Sequence, residues 1–232
     1  MGRLSEVTLA TVTRDPFCHP WKRADRYLTE AANRGWDIVV GLDRRTCEPC
    51  MRQLLLILSK APRAQVLRFL PVQESCDEML EEVVHTTRSK RVLLVSDDEE
   101  PSPALWALAQ KPPIEANWAI QMVCPLPDLR LYAPGTEIQM RLLNPKTWHW
   151  VGGLGGYDDN GGNAASAIHA ILWHFACWAP RDYREAKMIS YQKLGATPEY
   201  GRRHFWEEHQ DETVPMTPAL RAQFPELLEA MK

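Results

Sequence analysis

Four short apolar runs, Val7–Val12, Trp36–Leu42, Gln65–Val72 and Arg91–Ser96, alternate with helix-periodic segments through residue 110. This alternation constrains the fold more than any other feature. Runs of this length, three of them rich in β-branched residues, suit strands buried on both faces, and strand–helix alternation is the pattern of βαβ units around a parallel sheet. The expected helices run from Trp21 to Ala32, from Pro49 or Cys50 to Leu58, from Ser75 to Thr87 and from Pro103 to Ala109. Gly35 stands where a left-handed C-cap belongs, and acidic residues sit near the start of the third helix, as its dipole favours. Past residue 110 the texture changes. Trp118–Cys124, Leu129–Tyr132 and Thr136–Leu143 read as strands joined by Pro- and Gly-containing turns, so the second half is mixed or antiparallel.

A chain of 232 residues, 45% hydrophobic and 25% charged, has ample material for one core. The net charge of −3 does not call for nucleic acid, but the charge is uneven: residues 1–70 carry 12 Lys/Arg against 7 Asp/Glu, and residues 71–128 carry 4 against 11. No apolar run reaches the ~18 residues of a membrane span. The N-terminus lacks a signal-peptide layout, and Glu6 stands where a myristoylation motif wants Ser or Thr. A cytoplasmic protein is expected.

The fourth strand ends in Asp97-Asp98-Glu99-Glu100. Four carboxylates after a buried strand are electrostatically costly unless a cation or a donor-rich ligand receives them. Open α/β sheets bind ligands at the carboxyl ends of their strands, so a metal–phosphate site is expected here. Hard divalent ions such as Mg²⁺ or Mn²⁺ take carboxylate oxygens and share substrate phosphates. Asp97 with Glu99, or Asp98 with Glu100, has a spacing that lets both reach one ion. The alternative is that the acids follow the strand and cap the Pro103 helix.

Residues 152–162 hold six of the twelve glycines together with Tyr157, Asp158, Asp159 and Asn160, a composition expected of a loop closing on a ligand rather than a regular element. Trp148, Trp150, Trp173 and Trp178 flank it, and one or two are expected to line a cleft. Residues 164–178 are apolar and aromatic-rich, broken by His169 and His174, and Arg181–Leu194 reads as an amphipathic helix. Arg181, Arg184, Lys187, Lys193, Arg202 and Arg203 read as a solvated basic face. Thr217-Pro218 is a capped helix start. Cys47-Glu-Pro-Cys50 is a CxxC, but a structural zinc wants a second pair and none stands at a suitable spacing, so reduced thiols at a helix start are expected.

The order of these features resembles the nucleotide-sugar glycosyltransferases of the GT-A fold, bacterial or phage members in particular. The parts that carry the resemblance are a Thr-rich first strand end, a second strand ending in Asp43, and the acidic cluster after the fourth. Ile138–Arg141 leading to Trp148-His-Trp-Val-Gly152 is similar to their strand and acceptor-loop stretch. His174 through Lys187 is similar to their terminal segment.

The resemblance implies a Rossmann-type three-layer α/β sandwich with a mixed central sheet. Its domain would span 1–195, with a nucleotide-binding half (1–110) and an acceptor half (111–195), followed by a helical extension (196–232). It implies a nucleotide-diphosphate sugar as donor, a hydroxyl acceptor, a hydroxylated DNA base among the candidates, and Mn²⁺ or Mg²⁺ as cofactor. Thr11, Thr13, Arg14, Asp43 and Asp97 would lie on the nucleotide. Asp97, Asp98 and Glu99 would form the metal motif with His174 as a further ligand. The His-Glu or Glu-Asp pair of inverting members is absent: Leu154-Gly-Gly156 occupies its place, leaving Asp158 and Asp159 as the nearest carboxylates for a general base. The competing readings are a nucleotidyltransferase, disfavoured by the lack of glycine in Thr11–Pro16, and a catalytically inactive module binding nucleic acid through its basic face.

Overall fold

The structure, a computed structural model, describes residues 6–19, 21–69, 77–110, 117–126, 128, 130–132, 138–150, 157–158, 164–193, 205–208 and 210–224. The first half is the expected βα alternation: β1 (Val7–Thr13), α1 (Ala24–Asn33), β2 (Asp37–Asp43), α2 (Glu48–Leu58), β3 (Ala64–Phe69), α3 (Asp77–His85) and β4 (Arg91–Leu94). Then come β5 (Glu99–Pro101), α4 (Pro103–Gln110), β6 (Asn117–Pro125), β7 (Arg130–Tyr132), β8 (Ile138–Leu143), β9 (His149–Trp150), β10 (Tyr157–Asp158) and β11 (Ala164–His174). The described chain closes with α5 (Arg181–Lys193), β12 (Thr213–Pro215) and α6 (Pro218–Arg221).

The parallel part of the sheet has the order β3-β2-β1-β4. Because β1 sends its crossover to β2 on one side while β4 returns on the other, the strand order reverses between β1 and β4. β8 continues the sheet antiparallel to β4 and β6 antiparallel to β8. β11 runs parallel to β6, and β5 antiparallel to β11. The sheet is therefore mixed, as expected.

Alternate residues of the central strands feed two different cores, as the two-residue period of a strand requires. Leu9, Ile38, Val40, Leu42, Leu93 and Val95 pack beneath α1, α2 and α4, against Tyr27, Leu28, Leu54 and Leu105. Ala10, Val39, Val92 and Leu94 face the other way, onto Val83 and Val84 of α3 and onto Trp148. These three layers account for the continuous apolar runs in the sequence. α3 sits so close to β2 that a Cβ on Gly41 would lie 2.8 Å from Val83. α1 ends as read from the sequence, with Gly35 at φ +69.

Several local expectations change. Glu99 and Glu100 do not end in a turn: the chain bends at residues 96–98 and resumes as β5, and Ser102, not an acid, caps α4 by accepting from Leu105 N at 3.2 Å. The apolar segment after the glycine-rich region is the eleven-residue strand β11. Within that region Tyr157–Asp158 is regular after all, pairing antiparallel with His149–Trp150. Trp148 and Trp173 are buried in separate cores, Trp173 also at the wall of a cavity beside α1 and α4, and the Trp178 indole donates to Pro125 O. The side chain of Trp150 and the remainder of 151–163 lie outside the described residues. β12 pairs with β7, and Met216 and Phe224 pack on Trp21, Trp173 and Phe175. Thr217 caps α6 as expected.

Candidate functional site

Thr13 at the carboxyl end of β1 and Asp97 just past β4 meet across the point where strand order reverses. Thr13 Oγ1 donates to Asp97 Oδ2 at 2.7 Å, and Lys22 Nζ donates to the same oxygen at 2.6 Å. The Arg23 N–H holds the Asp97 carbonyl at 2.6 Å, fixing the loop before α1 onto the acidic segment. β5 then brings in a distant element. Pairing with β11 sets Glu99 opposite His174, and the Phe175 N–H donates to the Asp98 carbonyl at 2.7 Å.

Each of the four carboxylates has a cationic partner from the chain itself. Asp97 takes Lys22; Asp98 takes Lys187 Nζ at 3.2 Å and His174 Nε2 at 3.5 Å. Glu99 accepts from Arg141 at 2.6 Å and from the Ser96 N–H at 2.7 Å. Glu100 pairs with Arg23 at 3.1 Å and Arg26 at 3.3 Å. The expectation that only a bound cation or ligand could receive this cluster is therefore corrected. The basic stretch on α5 is corrected with it. Arg184 is buried against Glu207 and Lys187 reaches inward to Asp98, while Arg181 pairs with Glu185 and Glu208. Arg202 and Arg203 lie outside the described residues.

Asp98 and His174 are both almost fully buried. Burial alone would raise the Asp98 carboxyl, but the charges of Lys187 and His174 hold it well below the usual range. Burial likewise pushes the His174 imidazole down, and the Asp98 carboxylate outweighs it, lifting His174 from 6.5 to about 9. At neutral pH the pair is carboxylate and imidazolium. Asp97, Asp98, Lys22, Lys187 and Tyr183 line a recess of about 20 Å³, room for one water-sized guest. Larger cavities lie elsewhere: one of about 330 Å³ at the amino ends of the parallel strands, and one of about 360 Å³ beside α1 and α4, lined by Glu100 but not by Asp97 or Asp98.

As a divalent-ion site the cluster has a suitable donor set. Asp98, Glu99 and His174 each bring a ligand atom within 4.8 Å of the others. Glu99 is the least available, since Arg141 and Ser96 N already engage its two oxygens. An ion held by Asp98 and His174 would have to displace the imidazole proton and the Lys187 contact.

The other sequence candidates divide. Thr13 is at the site. Thr11 is fully buried and bonded to the Tyr27 hydroxyl at 2.9 Å, because it lies deeper on the strand face covered by α1. Asp43 sits at the end of β2 as expected, but Arg45 already binds it through its N–H at 2.7 Å and its guanidinium at 2.6 Å, which keeps the carboxyl low. Arg14 is exposed beside it on the β1–α1 loop. Asp158 is described only as backbone on β10, opposite His149, and Asp159 lies outside the described residues. His149 stands 3.9 Å from Glu81. Lys22, Arg141 and Arg45 were missed by sequence reasoning. Arg45 alone left a local trace, two residues after Asp43.

Among the described residues no helix is long and apolar enough to cross a membrane. No protein-family model matches the sequence, and no curated protein matches it. Solved structures do. A Pyrobaculum calidifontis mannosyltransferase in complex with GDP-Man and Mn²⁺ superposes with a TM-score of 0.51 at 11% identity, over 99% of this chain and 69% of that one. S. aureus TarS 1-349 gives 0.49 at 11% identity over 87% and 70%. Its complex with UDP-GlcNAc gives 0.41 at 11% identity over 51% of this chain, which spans only 35% of that structure. The mannosyltransferase likeness establishes a GT-A-like α/β fold with a mixed central sheet.

Proposed function

We propose that the protein transfers a glycosyl group from a nucleotide-diphosphate sugar to a hydroxyl acceptor with the help of Mn²⁺ or Mg²⁺. The observation that carries this reading is the Thr13–Asp97–Lys22 contact at the strand-order reversal, where α/β sheets bind nucleotides. The fold shared with a mannosyltransferase bound to GDP-Man and Mn²⁺ supports it.

In this reading Asp98 and His174 would hold the metal, with Asp97 beside them, and the bound ion would supply charge neutralisation for the departing diphosphate. Lys22, Arg14 and Arg45 ring the ends of β1 and β2 and supply positive charge for the phosphates. Thr13 fixes Asp97, and Asp43 aligns Arg45. The acceptor oxygen bonds to the anomeric carbon as the bond to the diphosphate oxygen breaks, and the acceptor proton passes to Asp158 or Asp159 as general base. Acceptors to be assayed include DNA carrying a hydroxylated base. The inward pairing of Arg184 and Lys187 takes two of the six basic residues out of the face that a nucleic-acid-binding module would use.

A thermal-shift panel of nucleoside diphosphates, their sugars and nucleoside triphosphates, with and without Mn²⁺, tests the proposal. One nucleotide should stabilise the protein in a Mn²⁺-dependent way, and Asp98→Asn should abolish that increment. No shift with any nucleotide, or full metal-dependent transfer by Asp98→Asn, overturns it. A shift only with nucleoside triphosphates would point to nucleotidyl transfer instead.

A further inference from the structure

A second cluster of ligating side chains lies outside the acidic site, and it is assembled from two loops. Cys18, on the β1–α1 loop, places its sulfur 3.7 Å from Cys47 Sγ and 3.0 Å from Cys50 Sγ. With an oxygen of Asp15, all four ligand atoms lie within 4.8 Å of one another. We propose that Cys18, Cys47, Cys50 and Asp15 form a zinc site that clamps the β1–α1 loop to the start of α2. The CxxC thus finds its missing partners 29 and 32 residues upstream, a spacing that no local pattern announces.

The geometry fits the metal. Tetrahedral zinc with Zn–S bonds of about 2.3 Å separates its sulfurs by roughly 3.8 Å. The Cys18–Cys47 pair already has that separation, and Cys18, exposed at the surface, needs only a small swing to open its distance from Cys50. Cys47 is the N-cap of α2 and Cys50 lies in its first turn, where the helix dipole favours thiolates. With no ion bound, burial and the Cys18 sulfur outweigh the dipole and push the Cys50 thiol up to about 12, so a bound ion has to displace that proton. Asp15 is already held toward this helix. Its backbone is in the left-handed region at φ +49, and its Oδ1 accepts from the Cys47 N–H at 2.7 Å. Arg14, 3.6 Å from Asp15, offsets part of the excess negative charge. Three sulfurs select a soft or borderline ion such as Zn²⁺ over Mg²⁺ or Mn²⁺. The site is chemically distinct from the carboxylate cluster, and the proposal stands whether or not the protein is a glycosyltransferase.

The test is metal content and cobalt substitution on the full chain, purified reduced and without chelator. Elemental analysis should find about one zinc per chain, lost in Cys18→Ser and Cys47→Ser. Co²⁺ added to the metal-free protein should give a thiolate charge-transfer band and tetrahedral visible bands, absent from Cys18→Ser. Cys18 is exposed, so its serine variant should keep the native circular dichroism spectrum. Zinc retained by Cys18→Ser, a wild-type cobalt spectrum without thiolate bands, or a Cys18–Cys50 disulfide in place of the metal would each overturn the proposal.

Discussion

Raising the pH from 6.5 to 9.5 should strip the proton from His174 and weaken the link between β5 and β11. His174 is 3% exposed and faces Asp98, which lifts its imidazole from 6.5 to about 9. At about 1.4 kcal/mol per tenfold change in proton affinity, that proton contributes about 3 kcal/mol to folding. The sign follows from the raised value. The stabilisation is complete below 6.5, where the unfolded imidazole is also protonated, and declines as the pH rises toward 9. Urea unfolding at a series of pH values, in metal-free buffer, measures it directly. His174→Gln keeps an amide donor for Asp98 but carries no titrating charge. The stability difference between wild type and variant should therefore shrink by about 3 kcal/mol across this window. A difference that stays flat would refute the imidazolium–carboxylate assignment, because other groups that titrate near pH 9 are common to both proteins.

Three further outcomes follow from the same geometry. Arg141→Met removes the guanidinium from Glu99, whose side chain is 2% exposed, and should cost about 3–5 kcal/mol in urea unfolding; adding Glu99→Gln should recover part of it. Gly41→Ala forces a methyl to 2.8 Å from Val83 and should destabilise by about 1–3 kcal/mol, lowering the thermal midpoint without altering metal content. If Asp98 and His174 hold the catalytic ion, Mn²⁺ affinity measured by calorimetry should rise between pH 6.5 and 9, by up to about tenfold per pH unit, and lose that dependence in His174→Gln.

The strand–helix alternation was legible because it is local: a strand repeats every two residues and a helix every 3.6, so β1, β2, α2 and β4 declare themselves in runs of four to eleven residues. Gly35 and Thr217 were legible for the same reason, since each cap is decided by its immediate neighbours. Asp97–Glu100 was visible as an electrostatic anomaly, and its place after β4 puts it at the carboxyl edge of the parallel strands.

What neutralises those acids was not visible, because ion-pair partners are chosen by packing rather than by periodicity. Lys187 meets Asp98 across 89 residues, Thr13 meets Asp97 across 84, and Arg141 meets Glu99 across 42. β11 was read only as an apolar stretch, although its pairing with β5 is what delivers His174 to the cluster. The sequence by itself determined the layers, the strand ends and the residue types gathered there. The tertiary structure decided which acid faces a recess and which is spent on a buried arginine, and it gave the CxxC its third sulfur. Local backbone preference fixes the elements, whereas charge and ligand geometry depend on loops brought together only when the sheet closes.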